Sequence, residues 1–139
     1  MLRLVPGRKP EEVSGVALNR ITIREGIRGQ KIDMKQETIE RIRKFTEDRD
    51  WDQFHSPANL AKSLVIEAAE LLECFQWSDT DYNLQHVQEE LADVLVYSQN
   101  LLDKLGLDAD VIVNKKMSQN EAKYPVDKAK GNAAKYTEL

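Results

Sequence analysis

Apolar residues recur at helical spacing along most of the chain, in four separate stretches. Ile39, Ile42 and Phe45 mark a first amphipathic helix running to about Arg49. Residues 50–55 break the period as a loop, and Ser56-Pro57 then makes a strong helix start, with Ser as N-cap and Pro at the first helical position. The second helix carries Leu60, Ala61, Leu64, Val65, Ala68, Leu71, Leu72 and Phe75 and is expected to end near Trp77. After a short connection at residues 78–81, a third runs through Leu84, Val87, Leu91, Val94, Leu95, Ser98, Leu101 and Leu102 to Gly106, a natural C-terminal stop. Asp108 caps a fourth, through Val111, Ile112 and Lys115 to about Lys123, ahead of Pro125. Four helices with short connections predict an all-α four-helix bundle over residues 33–139.

Residues 1–32 read differently. Four of the six glycines (Gly7, Gly15, Gly26, Gly29) and two of the four prolines (Pro6, Pro10) fall there. Residues 19–24 alternate like a short strand, yet nothing nearby offers it a partner. This segment is expected to be a flexible N-terminal arm or leader without chemistry of its own.

Charge sharpens the division. The arm holds seven basic and three acidic side chains, net +4, so the chain total of −4 leaves −8 on the remainder. An acidic domain is a poor partner for nucleic acid, whose binding rests on phosphate neutralisation, but it can take a polyphosphate through bridging cations. At 41% hydrophobic and 32% charged residues the chain reads as soluble and globular. No apolar run approaches the length of about 18 residues that a membrane span needs, and no signal-peptide core is evident. Cys74 is the single cysteine, so an intrachain disulfide is excluded; its neighbours Leu71, Leu72 and Phe75 predict a small buried hydrophobe. A cytoplasmic location is expected.

The candidate chemistry lies on the second and third helices. Glu67 and Glu70 are three residues apart, as are Glu90 and Asp93. Such pairs share a helix face with Cβ atoms roughly 5–6 Å apart, and like charges there cost about 0.2–0.5 kcal/mol. Both pairs are embedded in apolar sequence, where lost hydration sharpens the repulsion. If the two helices are antiparallel neighbours, the four groups converge on one all-oxygen site suited to Mg²⁺ or Mn²⁺ rather than zinc. The same spacing also occurs on solvated helix faces, in which case the chain is a non-catalytic helical dimerisation module. A di-iron bundle expects Glu-x-x-His from two helices, and neither His55 nor His86 has a Glu three residues before it. A phosphate-binding Gly-x-x-x-x-Gly-Lys loop and a dinucleotide fingerprint are both lacking.

The two acidic pairs, together with residues 51–55 (Trp-Asp-Gln-Phe-His), Phe75-Gln-Trp77, Lys116-Met-x-x-Asn120, Lys123-Tyr-Pro125 and the closing Lys135-Tyr-Thr-Glu-Leu139, resemble the MazG-like all-α nucleoside triphosphate pyrophosphohydrolases. The dCTP pyrophosphatase branch is the most similar. The resemblance covers residues 34–139. It implies Mg²⁺-dependent hydrolysis of a (deoxy)nucleoside triphosphate to monophosphate and pyrophosphate. It also implies a homo-oligomer, commonly a tetramer built as a dimer of dimers. Carried over by position, Glu67, Glu70, Glu90 and Asp93 become the Mg²⁺ ligands and catalytic acids. Trp51, Trp77, Tyr97 and Tyr124 become base- and sugar-enclosing aromatics, and Lys116, Asn120 and Lys123 become triphosphate contacts. Some relatives place a His on the first helix near the base, where this chain has Ile42, so base preference stays open. A pyrophosphohydrolase of dUTP or phosphoribosyl-ATP would share the same metal site.

Overall fold

Ser56 accepts a hydrogen bond from the Asn59 amide at 3.1 Å, and Pro57 occupies the first helical position behind it. That start, read from two residues of sequence, opens the helix that carries half of the acidic cluster. The computed structural model describes residues 34–138; the arm expected over residues 1–32 lies outside them. The helices are α1 (Gln36–Glu47), α2 (Pro57–Glu73), α3 (Leu84–Leu105), α4 (Ala109–Lys123) and the short α5 (Val126–Ala129), with 3-10 turns at Trp51–Phe54 and Tyr136–Glu138. No strand occurs among the described residues, so the chain is all-α as expected. Residues 34–115 form one compact unit, and residues 116–138 belong to a second.

Boundaries follow local chemistry. α3 begins at Asn83, whose side chain accepts from the Gln85 and His86 amides, and it ends at Gly106 in the left-handed region, φ 63°. The Gly106 and Leu107 amides fold back onto carbonyls of the last turn, the closure that a left-handed glycine permits. The Asp108 side chain accepts from the Val111 amide at 2.9 Å and so caps α4.

Two boundaries differ from expectation. α2 stops at Glu73 rather than near Trp77, because residues 74–77 leave the helix as turns, with Phe75 N–H bonding to the Leu72 carbonyl. Phe75 then meets Tyr82 from the connection at 4.8 Å between ring centres, with the rings tilted by 59°, instead of extending the helical face. Residues 51–54 are an ordered 3-10 turn rather than open loop, entered through Asp50 at φ 53°, a left-handed conformation that Asp tolerates better than most residues. Cys74 is half-buried, its thiol close to the Glu70 carbonyl.

In residues 34–115, α2 packs along α3, and α1 packs on α3 and on the 3-10 turn. Leu60 is the single fully buried apolar side chain among the described residues, at 1% exposure, and Gln99 is the buried polar one. Many large apolar side chains stay exposed, including Val65, Ile66 and Leu72 on α2 and Leu84, Leu91 and Leu95 on α3. In the second unit, Tyr124 meets Tyr136 edge-on at 6.0 Å and the Lys123 ammonium lies 5.2 Å from the Tyr136 ring centre.

Candidate active site

Because α2 and α3 pack together, Glu67 comes from one side of their interface and Glu90 and Asp93 from the other. Each offers an oxygen within 4.8 Å of the others, close enough to share one cation. Glu67 and Glu90 are half-buried and Asp93 is exposed. Partial burial pushes the Glu67 carboxyl above the usual Glu range, and the charges of Glu70, Asp93 and Glu90 push it further. Burial likewise comes first in raising Glu90, followed by the neighbouring carboxylate of Glu70. Glu70 thus acts on both half-buried acids while standing outside the tightest group of three.

Two half-buried glutamates held above the usual range by burial and by neighbouring carboxylates, beside an exposed aspartate, are a suitable donor set for a hard divalent ion. These residues could therefore hold a metal.

Beside the cluster is a cavity of about 560 Å³. Helix α1 contributes Ile42 and Phe45, the 3-10 turn contributes Trp51 and His55, and α3 contributes Asp93 and Tyr97. Its size falls within the range of roughly 300–1,000 Å³ usual for small-molecule sites, and its walls are chiefly apolar and aromatic. Phe45 holds Trp51 edge-on at 5.6 Å, and the Arg49 guanidinium covers the Phe45 ring at 3.6 Å. Asp93 belongs to both features, so a carboxylate able to bind metal stands in the wall of an aromatic cavity.

The structure brings Trp51 and Tyr97 to this cavity and leaves Trp77 outside it, 90% exposed on the turn after α2. Lys116, Asn120 and Lys123 run from the middle of α4 to its last residue, with Tyr124 just beyond it, in the second unit. Glu89 is exposed and accepts from Gln85, an ordinary surface contact. His55 and Asn100 also line the cavity and were missed in the sequence. Asn100 had a signal, since Asp93, Tyr97 and Asn100 recur at i, i+4 and i+7 on α3. His55 stood in the Trp-Asp-Gln-Phe-His stretch that carries the resemblance, but its place in the cavity depends on how the turn docks.

A model of the MazG-like family matches residues 62–139, a stretch that contains all four acids. The dCTP pyrophosphatase 1 of Mus musculus is 44% identical across 73% of this chain and 68% of that protein. Its Homo sapiens counterpart is 41% identical over the same shares. The crystal structure of a pyrophosphatase from Archaeoglobus fulgidus superposes with a TM-score of 0.61 at 38% identity, covering 68% of this chain and 99% of that one. With the family's match running from Lys62 to the last residue, and relatives this similar over most of its length, the chain belongs to the MazG-like family.

Proposed function

We infer that this chain is a nucleoside triphosphate pyrophosphohydrolase that cleaves the α–β phosphoanhydride of dCTP-like deoxynucleoside triphosphates, releasing monophosphate and pyrophosphate. The observation that carries this reading is the double membership of Asp93, in the acidic cluster and in the aromatic cavity. A ligand with an anionic end and a flat apolar end satisfies both, and a nucleotide has that form. The similarity to dCTP pyrophosphatases supports the same class of substrate.

Glu67, Glu90 and Asp93 would hold Mg²⁺, with Mn²⁺ as a substitute, and Glu70 would complete the acidic set from the α2 side. A divalent ion there supplies charge neutralisation for phosphate oxygens and makes water easier to deprotonate near neutral pH. The chain's own residues orient the rest. Trp51 and Tyr97 present ring faces to a base, a contact worth about 1–3 kcal/mol that does not select one base strictly. Lys116, Asn120 and Lys123 recur on one helical face and are proposed as triphosphate contacts, with Tyr124 and Trp77 as further aromatic contacts. Release of pyrophosphate in this way fits a role in trimming excess or altered nucleotides from the pool.

The apolar side chains left exposed on α2 and α3 support assembly into a homo-oligomer, a tetramer built as a dimer of dimers, with Trp77 covered on association. Incubating the protein with Mg²⁺ and a panel of dNTPs tests the reaction. Deoxynucleoside monophosphate and pyrophosphate are expected, with dCTP among the preferred substrates. Deoxynucleoside diphosphate and orthophosphate would place the cleavage at a different bond and reject the assignment.

A further inference from the structure

Three elements wall the cavity, and two adjacent residues at the end of α3 tie the other two walls to it. Asp103 takes both nitrogens of one face of the Arg43 guanidinium, Nε at 2.9 Å and Nη2 at 2.7 Å, which joins α3 to α1. The buried Gln99 donates to the same carboxylate at 3.0 Å and fixes its orientation. Lys104 donates to both carboxylate oxygens of Asp52, at 2.9 and 3.0 Å, which joins α3 to the 3-10 turn carrying Trp51.

The turn has few other restraints. Gln53 bonds back to the carbonyl and side chain of Asp50, at 2.9 and 2.8 Å, and Asn59 donates to the Phe54 carbonyl at 3.1 Å. These bonds shape the turn and fasten it to the start of α2. Among the described residues, of the side-chain hydrogen bonds that the turn makes, those from Lys104 alone reach α3, the helix that bears Asp93 and Tyr97. Trp51 itself meets Phe45 edge-on and is partly exposed. The gap between the Trp51 and Tyr97 walls is therefore set at the end of the cavity far from the acids.

We propose that Asp103 and Lys104 are positioning residues for the nucleobase, Asp103 holding α1 through Arg43 and Lys104 holding the Trp51 turn through Asp52, so that together they fix the width of the cavity. This rests on the reading of the cavity as a base site. Neither residue is among the acids that could bind metal, so loosening either clamp should weaken nucleotide binding without touching the chemistry. Exposed ion pairs contribute little to global stability, so the fold should survive their loss.

The experiment measures dCTP hydrolysis by the full chain with Mg²⁺ for Lys104→Met, Asp52→Asn and the double variant, alongside Mn²⁺ binding to nucleotide-free protein. Each single change is expected to raise KM about three- to ten-fold, with kcat within about two-fold and Mn²⁺ affinity unchanged. The double variant should be no worse than the weaker single one, since both break the same pair. Lys104→Arg should recover most of the loss. Arg43→Lys, which gives up the paired nitrogens on Asp103, should raise KM in the same way. Unchanged KM in Lys104→Met, multiplicative effects in the double variant, or a parallel fall in kcat and Mn²⁺ affinity would each overturn the clamp. A wild-type protein that hydrolyses no dNTP would instead overturn the reading of the site, a result distinct from active variants with unaltered KM.

Discussion

Glu67→Gln should stabilise the metal-free protein and disable the metal-loaded one. The substitution keeps size and hydrogen-bonding capacity but removes one of three charges whose oxygens lie within 4.8 Å of one another. At that separation two unit charges repel by about 0.9 kcal/mol at the permittivity of water and about 3.5 kcal/mol at an effective value of 20. Glu67 is only half-buried, so solvent screening brings the expected gain to the lower end, about 1 kcal/mol. For a chain of this size that is a rise in Tm of about 3–5 °C. The sign reverses with a divalent ion. At a hundred times its Kd an ion bound only to the folded state adds about 2.7 kcal/mol, and the variant should forfeit most of that increment. Turnover should fall by more than about 100-fold, since losing even a residue that only orients a ligand typically costs 10–100-fold. Thermal melts with and without Mn²⁺, at one fixed protein concentration because association also shifts Tm, read both signs in one series. A variant that melts lower than wild type without metal, or gains as much as wild type from Mn²⁺, would refute the idea that mutual repulsion prepares this cluster for a cation.

The same repulsion has a pH signature. Glu67 and Glu90 are held above their ordinary values by burial and then by neighbouring carboxylates, so their favourable contribution is complete below the unfolded pKa and is lost as pH rises through the raised folded pKa. The advantage of Glu67→Gln in metal-free melts should accordingly be largest near pH 7 and shrink towards zero by about pH 4. Asp103 runs the other way: hydrogen bonding to Arg43 lowers its pKa, so its contribution is present above the ordinary Asp value and fades as pH falls through the lowered one. Asp103→Asn should therefore cost stability at neutral pH and cost progressively less in strong acid, as read by urea midpoints. Leu60→Ala, at the single fully buried apolar side chain among the described residues, should cost about 2–5 kcal/mol in urea unfolding, whereas a loss below about 1 kcal/mol would mean that the start of α2 collapses onto the gap. Light scattering should return a multiple of the 15.9 kDa chain mass, falling towards one chain in Leu72→Asp; a wild-type monomer would reject assembly through the exposed face of α2.

The helices were legible because each carried its own signals: Ser56-Pro57 at a start, Gly106 at a stop, Asp108 as a cap, and apolar spacing between them. The acidic cluster was legible for a related reason, since three-residue spacing on two packed helices needs only that they be neighbours. The end of α2 was misread because Phe75 continues the apolar period, while its ring is engaged by Tyr82 from beyond the helix, a contact that no local pattern announces. The cavity was read only in part. Its walls come from α1, a 3-10 turn and α3, and whether Ile42, Phe45 and His55 face one another depends on how those elements dock. Trp77 shows the opposite limit, an aromatic with a clear place in a motif yet 90% exposed in a single chain, so its surroundings lie beyond what one chain supplies.

What the structure adds to the motif is an order along α3. Asp93, Tyr97 and Asn100 recur at i, i+4 and i+7, and Asp103 with Lys104 follows one turn further on. At 1.5 Å of rise per residue, Asp93 and Asn100 are separated by about 10 Å along the axis. A nucleotide whose phosphates meet Asp93 would pass its sugar and base along Tyr97 towards Asn100, and the clamps beyond would hold the opposite walls at a set distance. Chemistry, stacking and width thus follow one another along a single rigid rod. This helix is the longest among the described residues, and its buried Gln99 donates to Asp103 at the clamp end. On the proposed reading, base preference becomes a property of the far half of α3 and of the elements it restrains, separable from the acids proposed to hold the metal.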